Sequence, residues 1–288
     1  MTDIGPWARI IVRHPNQAFG DAAKIAREWR DLGYLACPDP AKAADQFDTF
    51  MTLLSAHVPV TLSLTPSDQL SLDSTYVRDA SIMSSRGAIL CRMGKLQRAS
   101  EPAALIAAYK SIDIPLVGAI TAPGTIEGGD FTWLTPRVAA VGRGYRTNDE
   151  GIRQLRVLLG DTIDELIVVP LPHHRGPSDV FHLMSIISPV DHNLAVVYSP
   201  LMPIPFRERL LDLDFTLVEV PDEEFESMGA NVLAVAPRQC VMVDGNPRTR
   251  VALERAGAGV RVYDGSEISL NGGGGPTCLT RPIQLEVG

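Results

Sequence analysis

Short apolar runs of strand length alternate with amphipathic stretches along most of this chain, and their order repeats. In residues 75–120, STYVRDASIM and GAILCRM predict two short strands joined by a Ser/Arg/Gly turn. EPAALIAAYKS (101–111) predicts a helix with Ser100 as its cap, and PLVGAI (115–120) predicts a buried strand. The same order, strand–strand–helix–strand, returns at 126–172, where Ile152, Leu155, Leu158 and Leu159 stand at helical spacing. It returns again at 181–221 and at 231–264, the last with Pro247 at a helix start and Gly257 just past its end. A fifth unit is split between the termini. TCLTRPI (277–283) and ARIIVRH (8–14) supply neighbouring strands, residues 41–57 a helix carrying Phe47, Phe50, Met51 and Leu54 on one face, and VPVTLSL (58–64) the last strand. Residues 16–40 form an excursion with another helical stretch near 20–32.

Units of about 50 residues are too small to bury a core alone, so they are expected to stack radially. Joining the first and last strands closes the ring and makes residues 1–288 one domain. The alternative is an open α/β sheet with helices on both faces. Strand pairs joined by tight turns argue against it.

Composition narrows the class. The chain has 288 residues, 45% hydrophobic and 21% charged, which is ordinary globular usage. A net charge of -8 argues against a nucleic-acid partner. Cys37, Cys91, Cys240 and Cys278 are far apart, which fits neither a disulfide framework nor a thiolate zinc site. MTDIGPWARI has no basic stretch followed by an apolar run, so no signal peptide is expected. The longest apolar runs, such as LIVVPL at 166–171, are strand-length, so no membrane span is expected. The reading is a cytoplasmic protein.

Four local sequences carry candidate chemistry: LDSTYVRDASIM (72–83), TIEGGDFTWL (125–134), VFHLMSII (180–187) and GGGGPTCLTRP (272–282). Taken singly, each has an ordinary explanation: a surface ion pair, a charged turn, a core histidine, a loose loop. Their spacing changes that. Asp79 and Glu127 are 48 residues apart, His182 follows after 55, and Cys278 lies 96 further on, two units away, with Asn231 at the matching point between. In a radial repeat, matching points converge. Two carboxylates, a histidine and a cysteine then meet in one place.

Carboxylates facing one pocket repel unless a cation sits between them. A guanidinium is such a cation, planar and matched to carboxylate forks. Its delocalised carbon calls for a thiolate nucleophile, here Cys278. His182 is suited to protonate the departing amine and then activate water against the S-alkylthiouronium adduct.

The ordered set EGGD at 127–130, RTN at 146–148, FHL-x-S at 181–185 and GGGPTC at 273–278 resembles the guanidino-group-modifying enzymes of the pentein fold. These include dimethylarginine dimethylaminohydrolases, arginine deiminases and amidinotransferases, and the likeness runs from about residue 70 to 283. It implies a five-bladed α/β propeller of pseudo-fivefold units. It implies Cys278 as nucleophile, His182 as general acid and base, and Glu127 as the carboxylate that binds guanidinium and pairs with the histidine. Asp79 is implied as the second guanidinium carboxylate and Asp73 as a substrate-contacting acid. Arg98 and Arg146 are implied as holders of a substrate α-carboxylate. The substrate is then a small guanidino compound, with no cofactor and no metal. Relatives of this kind are often dimers, which leaves a homodimer open.

The chain departs from its relatives at two places. Deiminases and amidinotransferases usually carry Asp where Met184 stands, whereas the dimethylarginine hydrolases lack it and share Ser185. Those hydrolases place Glu where Arg78 stands, and an Arg-Asp pair there is more like the other two classes. The expectation is hydrolysis of methylated arginine to citrulline and an alkylamine. The alternatives are a deiminase, an amidinotransferase acting on another guanidino compound, or a non-catalytic binding protein. Residues 15–22 stand where a pocket lid would lie.

Overall fold

A computed structural model describes residues 2–58, 60–64 and 69–283. Within them, five three-stranded sheets share one plan. β1 (Arg9–Val12) lies between β2 (Val60–Ser63) and β15 (Arg281–Ile283). β3 (Ser81–Ser84), β4 (Gly87–Leu90) and β5 (Leu116–Ala119) form the next sheet, followed by β6 (Phe131–Trp133), β7 (Val138–Arg143) and β8 (Glu165–Pro170). The last two are β9 (Ile187–Asp191), β10 (Leu194–Val197), β11 (Thr216–Glu219) and β12 (Val232–Ala236), β13 (Gln239–Val243), β14 (Gly259–Tyr263). In every sheet the middle strand runs antiparallel to one neighbour and parallel to the other. A short turn can only return the chain antiparallel, and a helical crossover restores the direction.

The excursion holds α1 (Pro15–Phe19) and α2 (Ala22–Leu32). The crossovers are α3 (Pro40–Ser55), α4 (Glu101–Ser111), α5 (Asp149–Leu159), α6 (Ile204–Asp212) and α8 (Pro247–Arg255), with a single extra turn, α7 (Asp222–Phe225), after β11. Local chemistry sets their ends. The Asn148 side chain caps α5 by accepting from Gly151 N, and Asp149 and Glu150 follow in its first turn. Pro247 opens α8, and Gly257, at φ 85°, takes the left-handed conformation beyond it. Ser100 sits at the cap position of α4 but does not cap it; its hydroxyl donates to Gln69 O instead.

Among the described residues no unit has a core of its own: their buried apolar side chains form four clusters, each built from neighbouring units. One joins β3–β5 to β6–β8 and also takes Ile11 and Ile283; a second joins β6–β8 to β9–β11. A third joins β9–β11 to β12–β14, and the fourth joins β12–β14 to β1, α2 and α3.

Three units have 3-10 turns ahead of their first strand, whereas β12 (Val232–Ala236) follows its apolar pattern closely. Residues 72–75 and 77–80 are 3-10 turns rather than strand. Arg98 holds the Tyr76 carbonyl at 2.8 Å and the Arg78 N–H donates to Cys278 O at 3.2 Å, so a side chain and a distant loop take bonds a ladder would use. Similar turns precede β6 at 128–130 and β9 at 183–185.

Candidate active site

These turns carry the candidate residues. Asp79 lies in the turn before β3, Glu127 and His182 stand immediately ahead of the turns before β6 and β9, Asn231 precedes β12, and Cys278 precedes β15. The glycines of EGGD have a steric reason. A Cβ on Gly129 would lie 2.6 Å from His182 Nδ1 and 2.7 Å from Asp79 Oδ1. Only a bare backbone lets the three approach.

His182 and Glu127 are buried and bonded, Nε2 to Oε2, at 2.7 Å. His182 Nδ1 stands 3.9 Å from Asp79 Oδ1. Glu127 Oε1 accepts from Lys95 N at 2.9 Å, and Arg146 Nη1 lies 3.6 Å from Oε2. Burial favours neutral imidazole at His182, but Asp79, Asp130 and Glu127 outweigh it and lift its pKa to about 9. At Glu127 burial opposes the charge. The His182 hydrogen bond and the charges of His182 and Arg146 prevail and hold the carboxyl well below its ordinary range.

Cys278 is half-buried and closes a turn in which its N–H donates to Gly275 O at 2.9 Å. Its sulfur faces Thr277 Oγ1 at 3.8 Å and Asn231 Nδ2 at 3.9 Å. The Asn231 amide is oriented by Thr277, whose N–H and hydroxyl both donate to Oδ1. The glycine run lets the chain pass close by: a Cβ on Gly275 would meet Asn231 at 2.4 Å, and one on Gly274 the Tyr76 ring at 2.3 Å. Burial and the Asp79 charge push the Cys278 thiol up to about 11, against the pull of the Thr277 hydrogen bond and the Arg78 charge.

Asp73, Asp79, Arg98, Arg146, His182, Asn231 and Cys278 line one cavity of about 260 Å³. Glu127 is not among its lining residues; it is fully buried and bonded to His182. The excursion reaches the cavity through Leu32, Gly33 and Leu35, the end of α2 and the residues beyond, rather than through residues 15–22.

Arg98 differs from the expectation that it waits for a substrate carboxylate. It donates to Glu101 through Nε at 2.9 Å and Nη2 at 2.7 Å, to Asp79 Oδ2 at 2.5 Å and to Tyr76 O at 2.8 Å. Four of its five N–H bonds are thus committed. Burial opposes its charge, and Glu101 and Asp79 overcome that. Arg146 is less committed, with one bond to Asp179 O at 3.3 Å besides its approach to Glu127. Asp73 is paired with Lys95 Nζ at 2.6 Å.

Several participants had no assigned role in the sequence. Asp130, within EGGD, accepts from Leu183 N at 3.0 Å and Thr147 Oγ1 at 2.6 Å, tying the residue after His182 to the residue after Arg146. Ser185 Oγ accepts from His182 N and fixes that turn. The motifs RTN and FHL-x-S were visible, and their orienting function follows from these bonds. Lys95 and Glu101 carried no local signal at all.

The donor atoms of Asp79, Glu127 and His182 lie within 4.8 Å of one another, close enough to hold a cation. Arg98 on Asp79 and Arg146 beside Glu127 already place positive charge there. The set suits an organic cation between carboxylates next to a thiol, with an imidazole to move protons.

Comparison with known proteins agrees with this chemistry. The chain belongs to the guanidino-group-modifying pentein superfamily, matching the arginine deiminase family over residues 71–207 and 204–284. It is 32% identical to the N(G),N(G)-dimethylarginine dimethylaminohydrolase of Pseudomonas aeruginosa over 93% of this chain and 96% of that protein. A Cys-to-Ser variant of the P. aeruginosa enzyme, solved with citrulline, superposes with a TM-score of 0.78 at 28% identity, covering 96% of this chain and 99% of the other. The arginine deiminase of Mycobacterium avium is 30% identical over 57% of this chain and 46% of its own length.

Proposed function

We propose that this protein hydrolyses the guanidino C–N bond of methylated arginine, giving citrulline and dimethylamine or methylamine. One observation carries the reading. His182, bonded to buried Glu127, shares a single cavity with Asp79 and Cys278. The likeness to dimethylarginine dimethylaminohydrolases along nearly the whole chain supports the same substrate. The five sheets and their shared clusters support a closed five-bladed arrangement, which gathers the turns at its centre.

The guanidinium enters beside Asp79 and Cys278. At rest the thiol is protonated near neutrality, because its pKa is raised to about 11. A bound cation offsets the Asp79 charge and favours the thiolate, the thiol proton passing to solvent. The sulfur forms a bond to the guanidino carbon. His182, protonated at neutral pH with a pKa of about 9, gives its proton to the departing amine as that C–N bond breaks. The S-alkylthiouronium remains on Cys278. His182, now neutral, takes a proton from water, whose oxygen attacks the same carbon; the C–S bond breaks and the ureido product leaves. Glu127 holds the imidazole and stabilises its charged form in the manner of a triad acid.

Incubation with asymmetric dimethylarginine and, separately, arginine tests this, with the released amine identified by mass spectrometry. Dimethylamine with citrulline is the expected result. Ammonia from arginine, with dimethylarginine untouched, would favour the deiminase reading that the Arg78–Asp79 pair and the family match support.

A further inference from the structure

We infer that Arg78, anchored by Asp3, is a positioning residue that holds the backbone of Cys278 from the side away from the cavity. This rests on the reading of Cys278 as nucleophile. Arg78 is 1% exposed and is not among the residues lining the cavity. Its Nε donates to Thr277 O at 2.6 Å, and its backbone N–H donates to Cys278 O at 3.2 Å. The carbonyls on both sides of the cysteine Cα therefore end on one residue. Arg281, three residues past the cysteine, donates to the Arg78 carbonyl. The next residue along, Asp79, lines the cavity. One short turn thus presents a carboxylate to the ligand and clamps the nucleophile's turn behind it.

Arg78 needs a counter-charge, because a buried guanidinium without one is costly. Asp3 supplies it: Oδ1 accepts from Arg78 Nη1 at 3.1 Å, and Oδ2 from Trp133 N at 2.6 Å and Thr132 Oγ1 at 3.1 Å. Asp3 is itself fixed. Gly5 N donates to Ala234 O at 3.1 Å, a Cβ on Gly5 would strike Val235 O, and Ile4 and Trp7 are buried. The segment before β1 therefore runs from β12 to β6 and to the turn before β3, reaching the nucleophile through one rigid planar fork. A thiol must be held to a fraction of an ångström for in-line attack, and a displacement of about 1 Å costs about a hundredfold in rate. The charge of Arg78 also opposes the rise in the Cys278 thiol pKa.

Arg78 and Asp3 carry opposite charges, so removing one and then the other should shift the thiol in opposite directions, which a loss of packing does not imitate. Asp3→Asn, Arg78→Met and Arg78→Lys are compared with the unaltered protein by steady-state kinetics on dimethylarginine. The pH dependence of Cys278 alkylation by iodoacetamide is followed alongside by peptide mass spectrometry. Asp3→Asn and Arg78→Met each lower kcat by at least about tenfold, with KM within about threefold, and Arg78→Lys recovers part of the loss. The alkylation midpoint moves up in Arg78→Met and down in Asp3→Asn. Midpoints that move together or stay in place overturn the inference, as does a loss confined to KM. If Arg78→Met does not fold, the downward midpoint in Asp3→Asn decides. Alkylation needs no turnover, so an unaltered protein that fails to hydrolyse dimethylarginine sinks the hydrolase reading while the midpoints still judge the clamp.

Discussion

The imidazole of His182 and the carboxylate of Glu127 meet at 2.7 Å across 55 residues of chain, and both are buried. The carboxylate keeps the imidazole charged at neutral pH, ready to give up a proton. Replacing His182 with Ala should therefore stop hydrolysis. With a substrate whose leaving group needs no proton, such as an S-alkylthiocitrulline, the adduct should accumulate. Intact-protein mass spectrometry, showing added mass on Cys278, checks this.

Cys278→Ser should lower turnover by at least about a thousandfold while leaving affinity within about tenfold, because the sulfur acts on the reacting carbon rather than in recognition. Calorimetric titration with dimethylarginine beside a turnover assay reads both quantities. Full activity in the serine variant would end the proposed mechanism.

Thiol reactivity should depend on the charge of the reagent. With its pKa raised to about 11, Cys278 should be alkylated by neutral iodoacetamide about ten times faster for each pH unit between 7 and 10. A cationic haloacetamidine settles beside Asp79 and favours the thiolate, so its rate should be higher at pH 7 and less steep in pH. Asp79→Asn should erase that advantage. Stopped assays across pH, with the modified peptide identified, settle the comparison.

Asp130 links the turns of His182 and Arg146, and burial raises its pKa to about 6 despite the bonds from Thr147 and Leu183. A carboxyl whose folded pKa exceeds its unfolded value favours the folded state most at low pH, and that contribution fades as pH rises through about 6. Asp130→Asn removes this dependence. The stability of the natural protein relative to the variant should therefore fall between pH 4 and pH 7, as urea denaturation can show. The variant should also lose about tenfold in kcat, since Leu183 N and Thr147 Oγ1 donate to different oxygens and the amide nitrogen that replaces one of them cannot accept.

Glu101 supports the site through Arg98. Truncation to Ala leaves a buried guanidinium held only by Asp79 and a carbonyl, and should cost about 3 kcal/mol of stability. Denaturant midpoints measure this directly.

Much of the fold was legible because it is written locally. The elements of each unit, the Pro247 start and the Gly257 stop follow from side-chain period and backbone freedom within a few residues, and the recurring unit order then pairs 8–14 with 277–283. The leading strands misread for the same reason. STYVRDASIM alternates like a strand, but distant partners at Arg98 and Cys278 claim its backbone bonds, and it is wound into turns.

The sequence by itself determined which residue types recur at matching points, and so named Asp79, Glu127, His182 and Cys278. Tertiary structure decided what each one touches. It bonded Glu127 to the imidazole, tied Arg98 to Glu101 and Asp79, paired Lys95 with Asp73, and set Arg78 between Asp3 and the cysteine turn. These pairings join residues from 3 to 199 positions apart. Helix and strand periods arise from neighbours along the chain. A hydrogen bond between distant side chains depends on where whole units pack, and no local pattern encodes it.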